Sequence, residues 1–277
     1  MIDILTEVLD ALQLKATAVR RLSLETEYRE EIGADQAVAV IVVDGQCAFA
    51  MDHCERSLLA GDYVLLLGTR KARFRKTSAA NVNLIRCAFS LQMSLPHPLA
   101  GQLPSIINIE SPNLTDETEF GQAIAMLDRE IANTRFGTEF VMLRLAEVAF
   151  VEVLRRSQLE AVPQPAFLAA LSDSSVRASL ELIHDAPGRA WHVEELAQTV
   201  GLSRAAFSDR FLRHVGEPPA RYLRAWRMLR ARRDLIRNAV SIREVAIAAG
   251  YQSTSGFSRA FRRLFGDSPN ALRQKRG

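Results

Sequence analysis

Apolar positions along this chain change their period several times, and each change marks an element. From Asp3 to Leu14, Ile4, Leu5, Val8, Leu9 and Leu12 recur at helical spacing and predict an amphipathic helix. From about Ala18 to Phe89 the period shortens to that of strands. AVAVIVVDGQCAFAM sets Asp44-Gly45 between two apolar runs, which is a hairpin signal. LLAGDYVLLLG, ARFRKT and NVNLIRCAFSL come next, and short strands punctuated by turns predict a small barrel or sandwich. Within it Phe49, Met51, Tyr63 and Phe74 serve equally well as core residues or as the lining of a ligand pocket.

Past Pro96-His97-Pro98 the helical period returns. Phe120, Ile124, Leu127 and Ile131 form one stripe, opened by Thr115 or Asp116. A turn at Phe136-Gly137 leads to a helix that is apolar on more than one side, carrying Phe140, Leu143, Leu145, Val148, Ala149, Phe150, Val151 and Leu154. A helix that apolar needs a second partner surface, either the barrel or another copy of itself. Residues 159–172, with two prolines and little charge, read as a linker. The helix DSSVRASLELIHDAP comes next, with His184 as a cap or packing residue and Trp191 as a staple to the adjoining helix pair.

From Trp191 to Arg273 one sequence idea occurs twice. At a constant offset of fifty, Phe207 falls on Phe257, Phe211 on Phe261, Gly216 on Gly266 and Pro219 on Pro269. Each copy has two short helices joined by a turn, the turn glycines being Gly201 and Gly250. The capping residues are Ser203 in one copy and Ser253 or Thr254 in the other. This is the pattern of a helix-turn-helix, whose second helix lies in the DNA major groove. The polar face of the second copy offers Thr254, Ser255, Ser258, Arg259, Arg262 and Arg263, a set suited to phosphates and, for arginine, to guanine. The first copy offers Arg204, Ala205, Ser208, Asp209 and Arg213 and is less basic. Between the copies Tyr222, Leu223, Trp226, Leu229 and Leu235 form the stripe of a helix of some 17 residues, roughly 25 Å long. Such a rod suits two reading heads set on successive major grooves, one helical turn of about 34–36 Å apart.

The net charge of +3 conceals an asymmetry. Residues 173–277 hold 19 Lys plus Arg against 10 Asp plus Glu, a net of +9; residues 1–172 hold the remaining 16 against 22, a net of −6. The basic half is the nucleic-acid half. All of its cations but Lys275 are arginine, which suits bidentate contacts, although a GC-rich genome produces the same bias. No apolar run approaches the roughly 18 residues of a membrane span and no signal peptide opens the chain, so a soluble cytoplasmic protein is expected. The three cysteines, Cys47, Cys54 and Cys87, are an odd count in a reducing compartment. They read as packing and surface residues, with a redox pair or a zinc site including His53 as the alternative. The histidines His53, His97, His184, His192 and His214 are scattered. The sequence also lacks a phosphate loop, H-E-x-x-H, G-x-S-x-G and C-x-x-C, so no enzyme is expected.

The runs GLSRAAFSDRF to YLRAWRM and IREVAIAAGYQSTSGFSRAFRRLFGDSPNALR closely resemble the DNA-binding domain of the AraC/XylS family of bacterial transcription regulators. That resemblance implies recognition helices at about 203–214 and 254–265, within units at about 192–214 and 241–265, and a DNA contact for Arg259. Where family members often carry a large or basic residue on the first helix, this chain has Ala205 and Asp209. The N-terminal part resembles the cupin-like sensor domain of one group of these regulators, through Gly45, the Gly61-Asp62 turn before YVLLL, the strand LIRCAFSL, and Leu103-Pro104-Ser-Ile-Ile. Metal-binding cupins place histidines and a glutamate in two strand motifs. Here Met51, Asp52, His53, Cys54 and Glu55 fill the first, and Arg73 lies near the second, so no metal and no cofactor are expected.

The expected architecture is therefore an α+β chain of two domains. Residues 1–158 form a cupin-like sensor and dimerisation domain, with a barrel over about 18–90 and helices over about 116–158. A linker over 159–172 leads to an all-α DNA-binding domain over 173–277 with two helix-turn-helix units. Implied partners are double-stranded DNA, RNA polymerase, a small-molecule or redox signal, and a second copy through helices 116–158. The alternative is a constitutive DNA binder whose barrel only dimerises or docks a partner.

Overall fold

The computed structural model describes residues 4–52, 54–77, 79–92, 106–109, 118–160, 173–186, 189, 191–237 and 240–274. His53, His97, the Leu103–Ser105 run, Thr115, Asp116, Lys275 and residues 161–172 of the expected linker lie outside the described residues. The described chain divides into two compact units, one with residues 13–92 and 106–160, the other with 4–12 and 173–274.

The first unit contains two antiparallel sheets. Strands β1 (Lys15–Ser23), β2 (Glu27–Ile32), β3 (Gln36–Asp44), β4 (Gln46–Met51), β5 (Cys54–Leu59), β6 (Tyr63–Leu67), β7 (Arg70–Lys76), β8 (Asn83–Ser90) and β9 (Ile106–Ile109) sort into a five-stranded sheet, β1-β8-β3-β6-β9, and a four-stranded one, β2-β7-β4-β5. The sheets are not hydrogen-bonded into a closed barrel; the sandwich form of the expectation is the one observed. Asp44-Gly45 is not a hairpin turn either, because β3 and β4 belong to different sheets. Both strands bury the same inter-sheet face, so their alternation is the same whether the chain doubles back or crosses over. Gly45 has φ +84°, and a Cβ there would lie 2.4 Å from the Asn81 carbonyl oxygen, so only glycine makes this crossing.

The inter-sheet space is packed. Val38, Val40, Val42, Val64, Leu66 and Leu84 from one sheet meet Ile32, Cys47, Phe49, Met51, Leu58, Ala72 and Phe74 from the other. Alternation along the five-stranded sheet turns Ala39, Ile41, Tyr63, Ile85, Cys87 and Phe89 to its other face. Helices α2 (Glu119–Ala132) and α3 (Thr138–Glu160) cover that face, with Tyr63 against Phe120 at 4.6 Å and Phe89 against Phe150 at 5.0 Å between ring centroids. Phe49, Met51, Tyr63 and Phe74 are thus core residues. Thr118, later than the expected opener, caps α2 by accepting the Gly121 N–H at 3.2 Å.

The second unit is all helix. Its first member is α1 (Ile4–Leu12), with Leu5, Val8 and Leu12 buried; the helix groups with this unit and meets α4 (Ser174–Asp185) although the strands come next in sequence. Then come α5 (Val193–Thr199), α6 (Arg204–Val215), α7 (Pro219–Arg237), α8 (Ile242–Ala248), α9 (Thr254–Phe265) and α10 (Pro269–Gln274). Among the described residues no helix is long and apolar enough to cross a membrane.

Candidate nucleic-acid interface

The repeat in sequence is a repeat in space. Ser203 and Ser253 cap α6 and α9 through the N–H groups of Ala206 and Gly256, each at 3.2 Å. Phe207, Phe211, Phe257 and Phe261 are fully buried, and the ring pairs within the two helices stand 5.5 and 5.4 Å apart. The turns before the two helices hold Gly201 at φ +72° and Gly250 at φ +83°, the left-handed conformation that ends α5 and α8.

Helix α7, 19 residues and so about 28 Å long, is shared by the two heads. Its Tyr222 packs edge-on to Phe211 at 5.6 Å, while Met228, Ala231 and Leu235 join the core of the second head with Val245, Ala246, Phe257 and Phe261. His184, buried on α4, holds the Tyr222 hydroxyl at 2.7 Å and stacks on Trp226 at 3.9 Å, which makes it a packing residue. Trp191 is buried and donates its indole N–H to the Ala186 carbonyl at 3.0 Å, at the end of α4.

With the phenylalanines inward, the outer faces of α6 and α9 carry the polar residues of the two copies. On α9, Thr254, Ser255, Arg259, Arg262 and Arg263 are exposed and Ser258 is half-buried. Among the described residues no carboxylate lies within ion-pair distance of the three arginines. On α6, Arg204, Ala205, Asp209 and Arg213 are exposed and Ser208 is half-buried. Here the cations are matched: Arg204 meets Glu194 of α5 at 2.7 Å, and Arg213 meets Asp209 at 2.9 Å. The two heads share one backbone plan and differ in charge.

Three residues are absent from the sequence-based set. Ala206 shares the exposed face with Ala205, as the capping position of Ser203 would have shown. Arg221 and Arg224 of α7 stand with Arg263 around a cavity of about 190 Å³ floored by Met228 and Leu264. No local pattern pairs α7 with α9, so that cluster needed the tertiary structure.

The cysteines sit in the first unit. Cys47 faces the inter-sheet core and Cys87 the opposite face of the five-stranded sheet, so the two thiols do not meet. Burial pushes the Cys87 thiol up to about 12; burial, and then the Asp62 carboxylate, push Cys47 up to about 11. A raised pKa lowers the fraction of thiolate, the nucleophilic form. Cys54, at the start of β5, is half-buried. Among the described residues no cluster of His, Cys, Asp and Glu is placed to hold a metal ion. Between the sheets Arg86 of β8 grips the buried Glu30 of β2 at 2.5 and 2.6 Å, and the Tyr28 hydroxyl donates to the same carboxylate. Arg73, on β7, pairs with Glu27 at 3.9 Å.

Comparison with known proteins matches residues 3–158 to the cupin family and residues 196–275 to a helix-turn-helix domain. A putative AraC-like transcription regulator of Streptomyces lividans is 33% identical over 197 residues, which is 70% of this chain and 64% of the relative. The chain thus spans just under two thirds of that relative's length. The HTH-type transcriptional regulator AlkR of Acinetobacter baylyi is 24% identical over a 306-residue alignment covering 99% of each protein. Among solved structures, a transcriptional regulator with an AraC-type DNA-binding domain from Chromobacterium violaceum is 26% identical over 38% of this chain and 95% of its own, with a TM-score of 0.36.

Proposed function

Because this chain belongs to the AraC-type transcription regulators that join a cupin domain to a helix-turn-helix domain, we propose that it reads a specific duplex DNA site with both heads and couples that reading to a signal received by its cupin unit. The observation that carries the first half is the pair of matching heads on one shared rod, with the bare arginines of α9 turned outward. Arg259 takes the base-reading role, bidentate to guanine, while Arg262 and Arg263 with Arg221 and Arg224 anchor phosphates. On α6, Arg204 and Arg213 serve the backbone. RNA polymerase is the expected partner at a promoter.

A small-molecule signal is supported by a groove of about 800 Å³ in the first unit, of a size that holds a ligand, lined by β1 from Thr17 to Arg21 and by Ile131, Arg135, Met142 and Leu143 at the α2–α3 corner. The raised thiol pKa values of Cys47 and Cys87 weigh against redox sensing. A second copy would dock through the exposed Phe140, Val141 and Val148 of α3. A ligand changes DNA affinity only by its differential affinity for two arrangements of the protein.

The test is a selection from random duplex DNA with the full-length protein, run over a range of salt concentrations with and without reductant. A recovered site with two short boxes about one helical turn apart, the same in both redox conditions, is the expected result. Enrichment of no sequence at any salt concentration refutes the reading.

A further inference from the structure

The repeat lets the reading helices be compared position by position. At the offset of fifty, Ala205 stands where α9 has Ser255, Ala206 where it has Gly256, Asp209 where it has Arg259, and Leu212 where it has Arg262. All four α6 residues are exposed. The N-terminal part of a recognition helix is the part that meets base edges. On α6 that part presents two methyl groups, from Ala205 and Ala206, and one carboxylate. Neither methyl can donate or accept a hydrogen bond. The carboxylate of Asp209 is held by Arg213 at 2.9 and 3.1 Å, and the guanidinium of Arg204 by Glu194.

Guanine and adenine are read in the major groove by arginine, lysine, asparagine or glutamine, and residues 203–209 hold one of these, Arg204, which is assigned to the DNA backbone above and is turned toward Glu194 of α5 at 2.7 Å. Cytosine is read by a carboxylate, and Arg213 draws one oxygen of Asp209 back along the helix, leaving a single oxygen for a cytosine amino group. Thymine alone projects a methyl group into the groove, and an alanine methyl is among its usual partners. We infer that the first head recognises thymine, by packing Ala205 and Ala206 against thymine C5 methyl groups. With Arg259 reading guanine in the second head, the operator has two chemically unlike boxes and the protein lies on it in one orientation. This rests on the proposed DNA-reading function and names the base class of its first half.

The test uses the full-length protein on its selected site. Arg259→Ala relaxes base preference in one box and so identifies the other as the first head's. Each thymidine of that other box is then replaced by deoxyuridine, which removes the C5 methyl and nothing else. Affinity is measured by fluorescence anisotropy for the wild type, Ala205→Gly, Ala206→Gly and the helix-preserving Ala205→Ser. The expected result is a loss of about fourfold for at least one deoxyuridine with the wild type, the worth of one buried methyl group. The same deoxyuridine should cost nothing further in one of the glycine variants, while deoxyuridine in the Arg259 box leaves affinity unchanged. A selected first box without thymine, or a deoxyuridine loss that persists in every variant, overturns the inference and leaves the DNA-reading function standing. Failure to select any site overturns both.

Discussion

Replacing Glu30 by alanine tests how the cupin unit is held together. Arg86 and Glu30 bridge the two sheets with two charge-assisted bonds of 2.5 and 2.6 Å, the glutamate side chain 5% exposed and the arginine 19%. Removing the carboxylate strands the guanidinium between the sheets and leaves the Tyr28 hydroxyl without its acceptor. Breaking a buried pair from one side costs about 3–5 kcal/mol, and the residual access of Arg86 to water sets the expectation at about 3 kcal/mol. The double variant Glu30→Leu/Arg86→Met removes both charges at similar volume and should return to within about 1 kcal/mol of the wild type, since an apolar replacement of a buried pair is often neutral. Both tryptophans, Trp191 and Trp226, lie in the helical unit, so indole fluorescence does not report the event. Urea unfolding followed by the β-sheet signal in circular dichroism does. A loss below about 1 kcal/mol for Glu30→Ala, or a double variant as weak as the single one, would refute the reasoning.

The DNA contacts, the thiols and the tyrosine each give a further expected outcome. Arg259→Ala should weaken the selected site by roughly 1–3 kcal/mol with little change on random DNA, whereas Arg262→Ala should weaken both alike and lower the salt slope by about 1; anisotropy titrations at several salt concentrations separate the two. An aromatic disulfide reagent at neutral pH should modify Cys54 fast and Cys47 and Cys87 only on unfolding, and Cys87→Ser should leave DNA binding equally indifferent to oxidant; rapid loss of three thiols from the folded chain contradicts the burial argument. Burial, then the Glu30 hydrogen bond, push the Tyr28 hydroxyl up to about 12 from its ordinary 10. The folded form keeps its proton where the unfolded one has lost it, so this group's stabilisation is complete below pH 10 and disappears as pH rises from 10 to 12. Urea midpoints across that range should fall less steeply in Tyr28→Phe.

The DNA-binding half was legible because its signals are local. The offset of fifty, the capping serines and the turn glycines lie within single helix pairs, and the structure realises them residue for residue. What could not be read there is which arginines are already neutralised. The Arg204–Glu194 pair depends on how α5 crosses α6, and the cluster of Arg221, Arg224 and Arg263 on how α7 lies against α9. In the other half, alternation revealed strands without revealing their sheets. Ile85 and Cys87 lie on one side of β8 and Leu84 and Arg86 on the other, both sides are largely buried, and so the strand reads as uniformly apolar apart from one arginine. That arginine was the trace of the Glu30 bridge, and its partner lies 56 residues away.

The place of α1 reaches into how the protein is made. The helix over residues 4–12 leaves the ribosome ahead of every strand, and the helices of the unit it groups with are translated after all of them. Until Ser174–Asp185 is made, α1 lacks the helix it meets in the folded protein, and its apolar stripe is a target for chaperones. Residues 4–12 meet this unit at α4, so a fragment begun at Asp173 keeps the caps and ring pairs of both reading heads and lacks the helix that lies against α4.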